Sequence, residues 1–233
     1  MKMRFNYLSH IYSEKRRPNS DYPKKLAEHL LSHIETKNKD IILDIGCGRG
    51  DFLRVFFELG FKVIGVDIAK DVKKFCYPHK VVICDLDKKK IPLDDNSVDI
   101  IFTKSCIEHL YYPLNMIQEA NRVLKKNGYL IILTPSWVHH KFGPFYLDFT
   151  HRTPFTLPSL RDIIEIGGFK TLTIKHFYQL PFVWKFPLSL ILVKLFSLIP
   201  LPYKPMNDFK WPPTINKLIR FSKEAMILSI AQK

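Results

Sequence analysis

The sequence predicts an α/β domain built on a mostly parallel sheet with helices on both faces. Three observations carry this. Short β-rich apolar runs alternate with helix-period stretches across residues 41–134. A glycine cluster, Gly46-Cys-Gly48-Arg-Gly50, stands where the first strand would pass into a helix. Acids recur along the first strand candidates, Asp44 within the first, Asp67 ending the second and Asp85 following the third. Alternation implies a parallel sheet because parallel neighbours need a crossover, and a helix is the usual one.

In chain order, residues 26–34 read as a leading helix and 41–45 (Ile-Ile-Leu-Asp-Ile) as the first strand. Phe52, Leu53, Val55, Phe56 and Leu59 then repeat at helical spacing and stop at Gly60. Residues 62–66, 81–83, 98–103 and 129–134 supply four more strands, with a helix over 114–124 before the last of them. Beyond these, 157–166 reads as a helix closed by Gly167 and Gly168, with Thr156 as its N-cap, 169–177 as a sixth strand and 225–231 as a seventh. The whole chain reads as one domain: a cap and leading helix (1–40), a ligand-binding half (41–135), a loop, helix and strand (136–178), an insertion (179–222) and the last strand (223–233).

Lys and Arg number 36 against 22 Asp and Glu, a formal charge of +14, while 46% apolar and 13% aromatic residues are enough for a sizeable core. That composition excludes a disordered or collagen-like chain and points to anionic partners without choosing among them. Cys47, Cys76, Cys84 and Cys106 share no CxxC spacing and lie mostly in apolar runs, so they read as reduced and buried in a cytoplasmic protein. Residues 1–18 have no apolar stretch of the kind a secretory signal needs.

The glycine loop lets a ligand approach the backbone and exposes amide donors at a helix start. It is not the dinucleotide fingerprint, because Asp51 stands where the third glycine of GxGxxG belongs. Asp67 occupies the place where a parallel sheet presents a carboxylate to ribose hydroxyls. With Asp44-x-Gly46-x-Gly48-x-Gly50, Asp67, Asp85-Leu86, Ser97-Val-Asp99 and Arg122-Val-Leu-Lys-Lys-Asn-Gly128 in that order, the chain resembles a class I S-adenosylmethionine-dependent methyltransferase of the small-molecule or glycan-associated type, over about residues 26–233. The resemblance implies a Rossmann-like seven-stranded sheet with an antiparallel last strand and S-adenosylmethionine as cofactor. It also implies that Asp44, Gly46, Cys47, Gly48 and Gly50 flank the methionine moiety with Ser105 nearby, that Asp67 and Ile68 meet the ribose, and that Asp85 and Leu86 stand beside the adenine. Asp99 reads as a residue that pins a loop.

Two stretches qualify for the acceptor side. Ser105-Cys-Ile-Glu108-His109 follows the fourth strand and resembles the Glu-x-x-Glu-His signature of methyltransferases that bind a divalent metal, with Ser105 replacing the first Glu. One hard oxygen ligand is thereby removed, and no metal is expected. The other reading of Glu108 and His109 is that they line and cap the next helix. The second stretch runs from His139 to Thr156, where Asp148 and His151, three apart, would form a carboxylate-oriented imidazole able to act as a base, or would only hold the loop together. His139 and His140 read as polar loop residues. No Asn-Pro-Pro-Tyr or Asp-Pro-Pro-Tyr run follows the fourth strand, which favours an oxygen acceptor over an amino nitrogen.

The insertion has its own composition. Residues 170–207 contain no Asp or Glu, five lysines (170, 175, 185, 194 and 204) and prolines 181, 187, 200, 202 and 205. A spanning helix needs roughly 20 apolar residues; here the apolar helical piece is only 188–199. It reads either as an interfacial helix, with Trp184 and Tyr203 at its ends and lysines reaching anionic headgroups, or as a lid or dimer helix. The expectation is a methyltransferase acting on a hydroxyl of a lipid-linked or amphiphilic small molecule, such as a glycan intermediate or quinone-like ring, peripheral to the membrane across 180–203. An RNA 2′-O-methyltransferase and a non-catalytic cofactor-binding scaffold are the alternatives, nucleic acid being the weaker partner.

Overall fold

The computed structural model describes residues 18–140, 144–203 and 212–233. The basic N-terminal stretch, Lys141, Lys204 and Pro205 lie outside the described residues. The strands are β1 (Ile41–Ile45), β2 (Lys62–Asp67), β3 (Lys80–Ile83), β4 (Val98–Lys104), β5 (Leu124–Pro135), β6 (Lys170–Phe177) and β7 (Met226–Gln232). They form one sheet in the order β3-β2-β1-β4-β5-β7-β6, in which β7 runs antiparallel to both β5 and β6. The Rossmann-like seven-stranded arrangement with an antiparallel last strand is thus observed.

The sheet is buried on both sides, as parallel sheets are. Adjacent residues in the central strands face opposite layers: Leu43, Ile101 and Ile132 pack on one side with Met116, Ile117, Leu160 and Ile164. Ile42, Ile100, Phe102 and Ile131 pack on the other with Leu26, Leu30, Val55 and Phe56. The first layer is covered by α4 (Pro113–Val123) and α6 (Leu157–Ile166), and the second by α1 (Tyr22–Leu31) and α2 (Asp51–Glu58). Asp99 pins as expected, accepting from the Ile41 amide at 2.9 Å and pairing with Lys125 at 2.8 Å. Thr156 caps α6 in a capping box with Ser159.

Several boundaries differ from expectation. The leading helix starts at Tyr22 because Pro23 occupies its first turn, where a missing amide hydrogen costs nothing. β5 begins at Leu124, directly after α4, with Asn127 in the left-handed region, so the lysines that would end the helix already belong to the strand. Beyond β6, the insertion holds α7 (Pro181–Lys185), α8 (Ser189–Ser197) and α9 (Pro213–Lys223), the last of which was not expected as a helix. Residues 137–140 form a short helix, α5, rather than a loop, and His140 is buried there with its Nδ1 2.9 Å from the Ser136 carbonyl. The remaining short helix is α3 (Val72–Cys76).

The sheet order reverses at β1, whose neighbours are β2 and β4. The carboxyl ends of those strands border the crevice where ligands bind in open α/β sheets. The insertion leaves from the same rim: Phe177, ending β6, and Pro135, ending β5, both pair with Met226 of β7.

Candidate functional site

The glycine loop connects β1 to α2 with Gly46, Gly48 and Gly50 at φ of 79°, 51° and 75°. The loop is tied to β2, since the amides of Gly46 and Cys47 donate to the Val66 carbonyl at 2.8 and 3.2 Å. Asp67 completes the tie: its Oδ2 accepts from the Gly48 amide at 2.9 Å and its Oδ1 from the Ala69 amide at 2.8 Å. Burial raises the Asp67 carboxyl above its ordinary range against the pull of these amides. Ile68, beside it, is 64% exposed at the rim.

Asp44 is 2% exposed, and its Oδ2 has no hydrogen-bond partner among the described residues. Burial, reinforced by Asp67 and Asp51, pushes its carboxyl up. An orphaned carboxylate oxygen this deep costs about 1–3 kcal/mol, a cost that a ligand carrying an ammonium group would relieve. A cavity of about 540 Å³ opens beside the loop, lined among others by Asn19, Tyr22, Gly46, Gly48, Lys104 and Ser105. The chain entering α1 therefore forms one wall, a contribution that sequence reasoning missed. Ser105, at φ 54°, donates its amide to the Leu133 carbonyl.

Asp67 and Asp85 lie off this cavity, at the ends of β2 and β3. Asp85 pairs with Lys88 at 2.9 Å and accepts from the Asp87 amide, whereas the Leu86 side chain is buried in the core. Cys47, Cys76 and Cys84 are buried, Cys106 is half-buried, and all four are free thiols. Burial holds the Cys106 thiol well above its ordinary range, and its side chain packs under Gly46. The loop, an unsatisfied buried acid and a second acid placed for a diol together fit a cofactor with an amino-acid end and a ribose. Of the residues expected there, Gly46, Cys47, Gly48 and Ser105 line the cavity, whereas Asp44 is buried in β1 and Asp67 lies off the cavity at the end of β2.

On the other side of Ser105, the chain enters a single turn, Ile107–His109. Glu108 is fully buried: its Oε2 accepts from the Thr134 hydroxyl at 3.0 Å, and its Oε1 has no partner among the described residues. Burial lifts its carboxyl to about 7. The Glu108 carbonyl accepts from the amides of Arg152 and Thr153 at 2.8 and 3.0 Å, locking the loop after β5 onto the end of β4.

That loop brings His151 against His109, with ring centroids 4.7 Å apart. Asp148 and His151 are joined through the backbone, the His151 amide donating to the Asp148 carbonyl at 3.1 Å, but the expected bond between the Asp148 carboxylate and His151 Nδ1 does not form, since that nitrogen lies on the Phe145 carbonyl. Asp148 instead caps its own turn, its Oδ1 accepting from both the amide and the hydroxyl of Thr150. Asp148 reaches His109, because Thr150 Oγ1, having donated to Asp148, lies 2.9 Å from His109 Nδ1 and accepts from it. His151 Nδ1 lies 2.6 Å from the Phe145 carbonyl, which can only accept. Both imidazoles thus carry their proton on Nδ1 and leave Nε2 free. Burial lowers His109 to about 4, and burial also lowers His151, so both rings are neutral near pH 7. Around the pair, Tyr111, Tyr146, Leu147 and Phe149 are 58–72% exposed, a mouth of apolar and aromatic surface.

Residues 43–132 match the family model described as "Methyltransferase domain". The chain is 30% identical over 124 residues to the malonyl-[acyl-carrier protein] O-methyltransferase of Marinomonas sp., covering 50% of this chain and 46% of that protein. It is 30% identical over 120 residues to the ubiquinone biosynthesis O-methyltransferase of Glaesserella parasuis, covering 45% of this chain and 50% of that one. These matches therefore span about half the length of either relative. Among solved structures, a SAM-dependent methyltransferase from Archaeoglobus fulgidus superimposes with a TM-score of 0.67 at 25% identity, over 96% of this chain and 98% of that one.

Proposed function

We propose that this chain, which belongs to the class I S-adenosylmethionine-dependent methyltransferases and takes S-adenosylmethionine as its cofactor, methylates a hydroxyl of a lipid-linked or amphiphilic small molecule. The cofactor supplies a methyl on a sulfonium: its C–S bond breaks with the electron pair left on sulfur while a lone pair of the acceptor oxygen forms the new C–O bond. The protein's part is alignment and custody of one proton. The glycine loop and Asp67 hold the donor, and the turn after Ser105 carries Glu108 and His109 on the acceptor side. The hydroxyl proton passes to Nε2 of His151, a neutral imidazole kept in the right tautomer by the Phe145 carbonyl, since His109, lowered to about 4, is the weaker base.

The observation that carries the amphiphilic acceptor is the outer face of the insertion. Leu188, Ile191, Leu192, Leu195 and Leu198 are 57–82% exposed, while Val193 and Leu190 of α8 pack inward. Exposed apolar surface on this scale marks an interaction site. No helix among the described residues is long and apolar enough to cross a membrane, so the contact is one of lying on a surface. Lys185 and Lys194 are exposed beside it, and residues 170–203 carry no acid, which suits an anionic bilayer face. α5 joins the two regions, since His139 packs on His176 of β6 with ring centroids 4.5 Å apart. The insertion and the acceptor mouth therefore share one rim, and the two O-methyltransferase relatives act, by their names, in acyl-carrier and quinone chemistry.

Flotation with vesicles containing about a third anionic lipid tests the reading. The protein is expected to float with them, and the double variant Leu192→Asp, Leu195→Asp to stay behind with unchanged cofactor affinity, since both side chains are exposed. A wild-type protein that stays with the soluble fraction but binds RNA in a salt-sensitive manner would favour RNA as the acceptor instead.

A further inference from the structure

We propose that Glu108, His109 and His151 form a binding site for a divalent transition-metal ion of the zinc type. One ligand atom from each lies within 4.8 Å of the others. Bonds of about 2.0–2.2 Å set ligand separations of roughly 3–4 Å, so the three atoms need to draw in by at most about 1.8 Å.

Three further features of the cluster are those of a built site. Each imidazole has its Nδ1 fixed by a partner that leaves Nε2 free: Thr150 Oγ1, itself oriented by Asp148, for His109, and the Phe145 carbonyl for His151. Such second partners are what orient histidine ligands in metal sites. Glu108 is 0% exposed and keeps a carboxylate oxygen with no hydrogen-bond partner among the described residues. That unsatisfied oxygen is unexplained by the fold and is explained by a cation. The two segments are also bolted together at the ligands themselves, through the Arg152 and Thr153 amides on the Glu108 carbonyl. With Ser105 in place of an acid, the set is two nitrogens and one oxygen rather than the all-oxygen shell that magnesium prefers, which selects a borderline ion. Three protein ligands leave a coordination position for a further ligand.

The site does not depend on the identity of the acceptor. Its use in transfer rests on the hydroxyl reading above, but by a different route: with Nε2 of both imidazoles on the ion neither can take the proton, and the ion would instead lower the pKa of the acceptor hydroxyl so that its proton passes to solvent water.

The test is calorimetric titration of chelator-treated full-length protein with Zn²⁺, paired with visible absorption of the Co²⁺-loaded form. The expected result is saturable binding of a single ion, with ligand-field bands in the cobalt spectrum. In His109→Ala and His151→Ala, affinity falls by about 10–100-fold or more and the bands disappear, with circular dichroism unchanged. Because Glu108 is buried and its Gln variant can fail to fold, the two histidine variants carry the decision. Absence of saturable binding in the wild type, or equal binding in all variants, overturns the site. Methyl transfer that is unaffected by chelation and by added Zn²⁺ overturns the ion's part in the reaction while leaving the methyltransferase reading intact.

Discussion

Gly46→Ala abolishes cofactor binding and destabilises the fold by about 2–5 kcal/mol, the sum of a left-handed backbone cost and overpacking. Gly46 sits at φ 79°, and an added Cβ would lie 2.6 Å from Cys106 Cβ and 2.7 Å from its Sγ. Cys106 cannot yield cheaply, because Ser105 before it is bonded to β5 and the Ile107–His109 turn follows at once. The clash therefore reaches both halves of the site, the loop that cradles the donor and the turn that carries Glu108 and His109. Gly60→Ala is the matching control. Gly60 is also left-handed, at φ 93°, but the nearest atom to its Cβ is Asn38 Oδ1 at 3.7 Å. It pays only the backbone cost of about 1–2 kcal/mol and keeps its cofactor affinity. Urea unfolding and calorimetric titration of the two variants measure the difference, and a Gly46→Ala protein that binds like the wild type would show that the loop does not approach the ligand.

Asp67→Ala lowers the affinity for S-adenosylmethionine by about 30-fold or more, corresponding to the loss of charged hydrogen bonds worth roughly 2 kcal/mol or more. Two effects combine. The ribose loses its acidic partner, and the amides of Gly48 and Ala69 lose the carboxylate that holds them 2.9 and 2.8 Å away. Asp67→Asn separates the two, because its single carbonyl oxygen can still serve one amide while the charge is gone. Its affinity is expected between those of the wild type and Asp67→Ala. An unchanged affinity in Asp67→Ala would mean that the acid ending β2 holds the loop and nothing else.

The strands were legible because their signal is local. Apolar runs such as 41–45 and 98–103 are bounded by turn residues and buried on both faces, so composition and position agree. The glycine loop was legible because only glycine serves at three positive-φ positions so close together. Where the reading went astray, the deciding interaction was tertiary. Asp148 and His151 have the spacing of a dyad, but the Thr150 amide and hydroxyl take the carboxylate first and redirect it toward His109. His140 looks like a polar loop residue until Ser136 and Glu224 are brought around it by β5 and α9, with Glu224 Oε2 3.9 Å from its Nε2. The cavity wall formed by the chain entering α1 has no motif at all. α9 did leave a trace, since Pro213 stands in its first turn and the buried Asn216, Ile219 and Ser222 recur at helical spacing, but its charged neighbours obscured the face. Convergence of Glu108, His109 and His151 belongs to the same class: two of the three are adjacent in sequence, and the third is brought in by hydrogen bonds between the loop and the Glu108 carbonyl, the His109 ring and the Leu110 carbonyl.

The proposed reaction moves a methyl group from S-adenosylmethionine to a hydroxyl of an amphiphilic acceptor. Incubation with trideuteromethyl-labelled cofactor and separate lipid, glycan and RNA extracts, followed by mass spectrometry of each fraction, tests it most directly. Label is expected in the lipid or lipid-linked fraction as an alkali-stable methyl ether, and none from the His151→Ala protein. Label confined to RNA, or found on nitrogen or carbon, would contradict it.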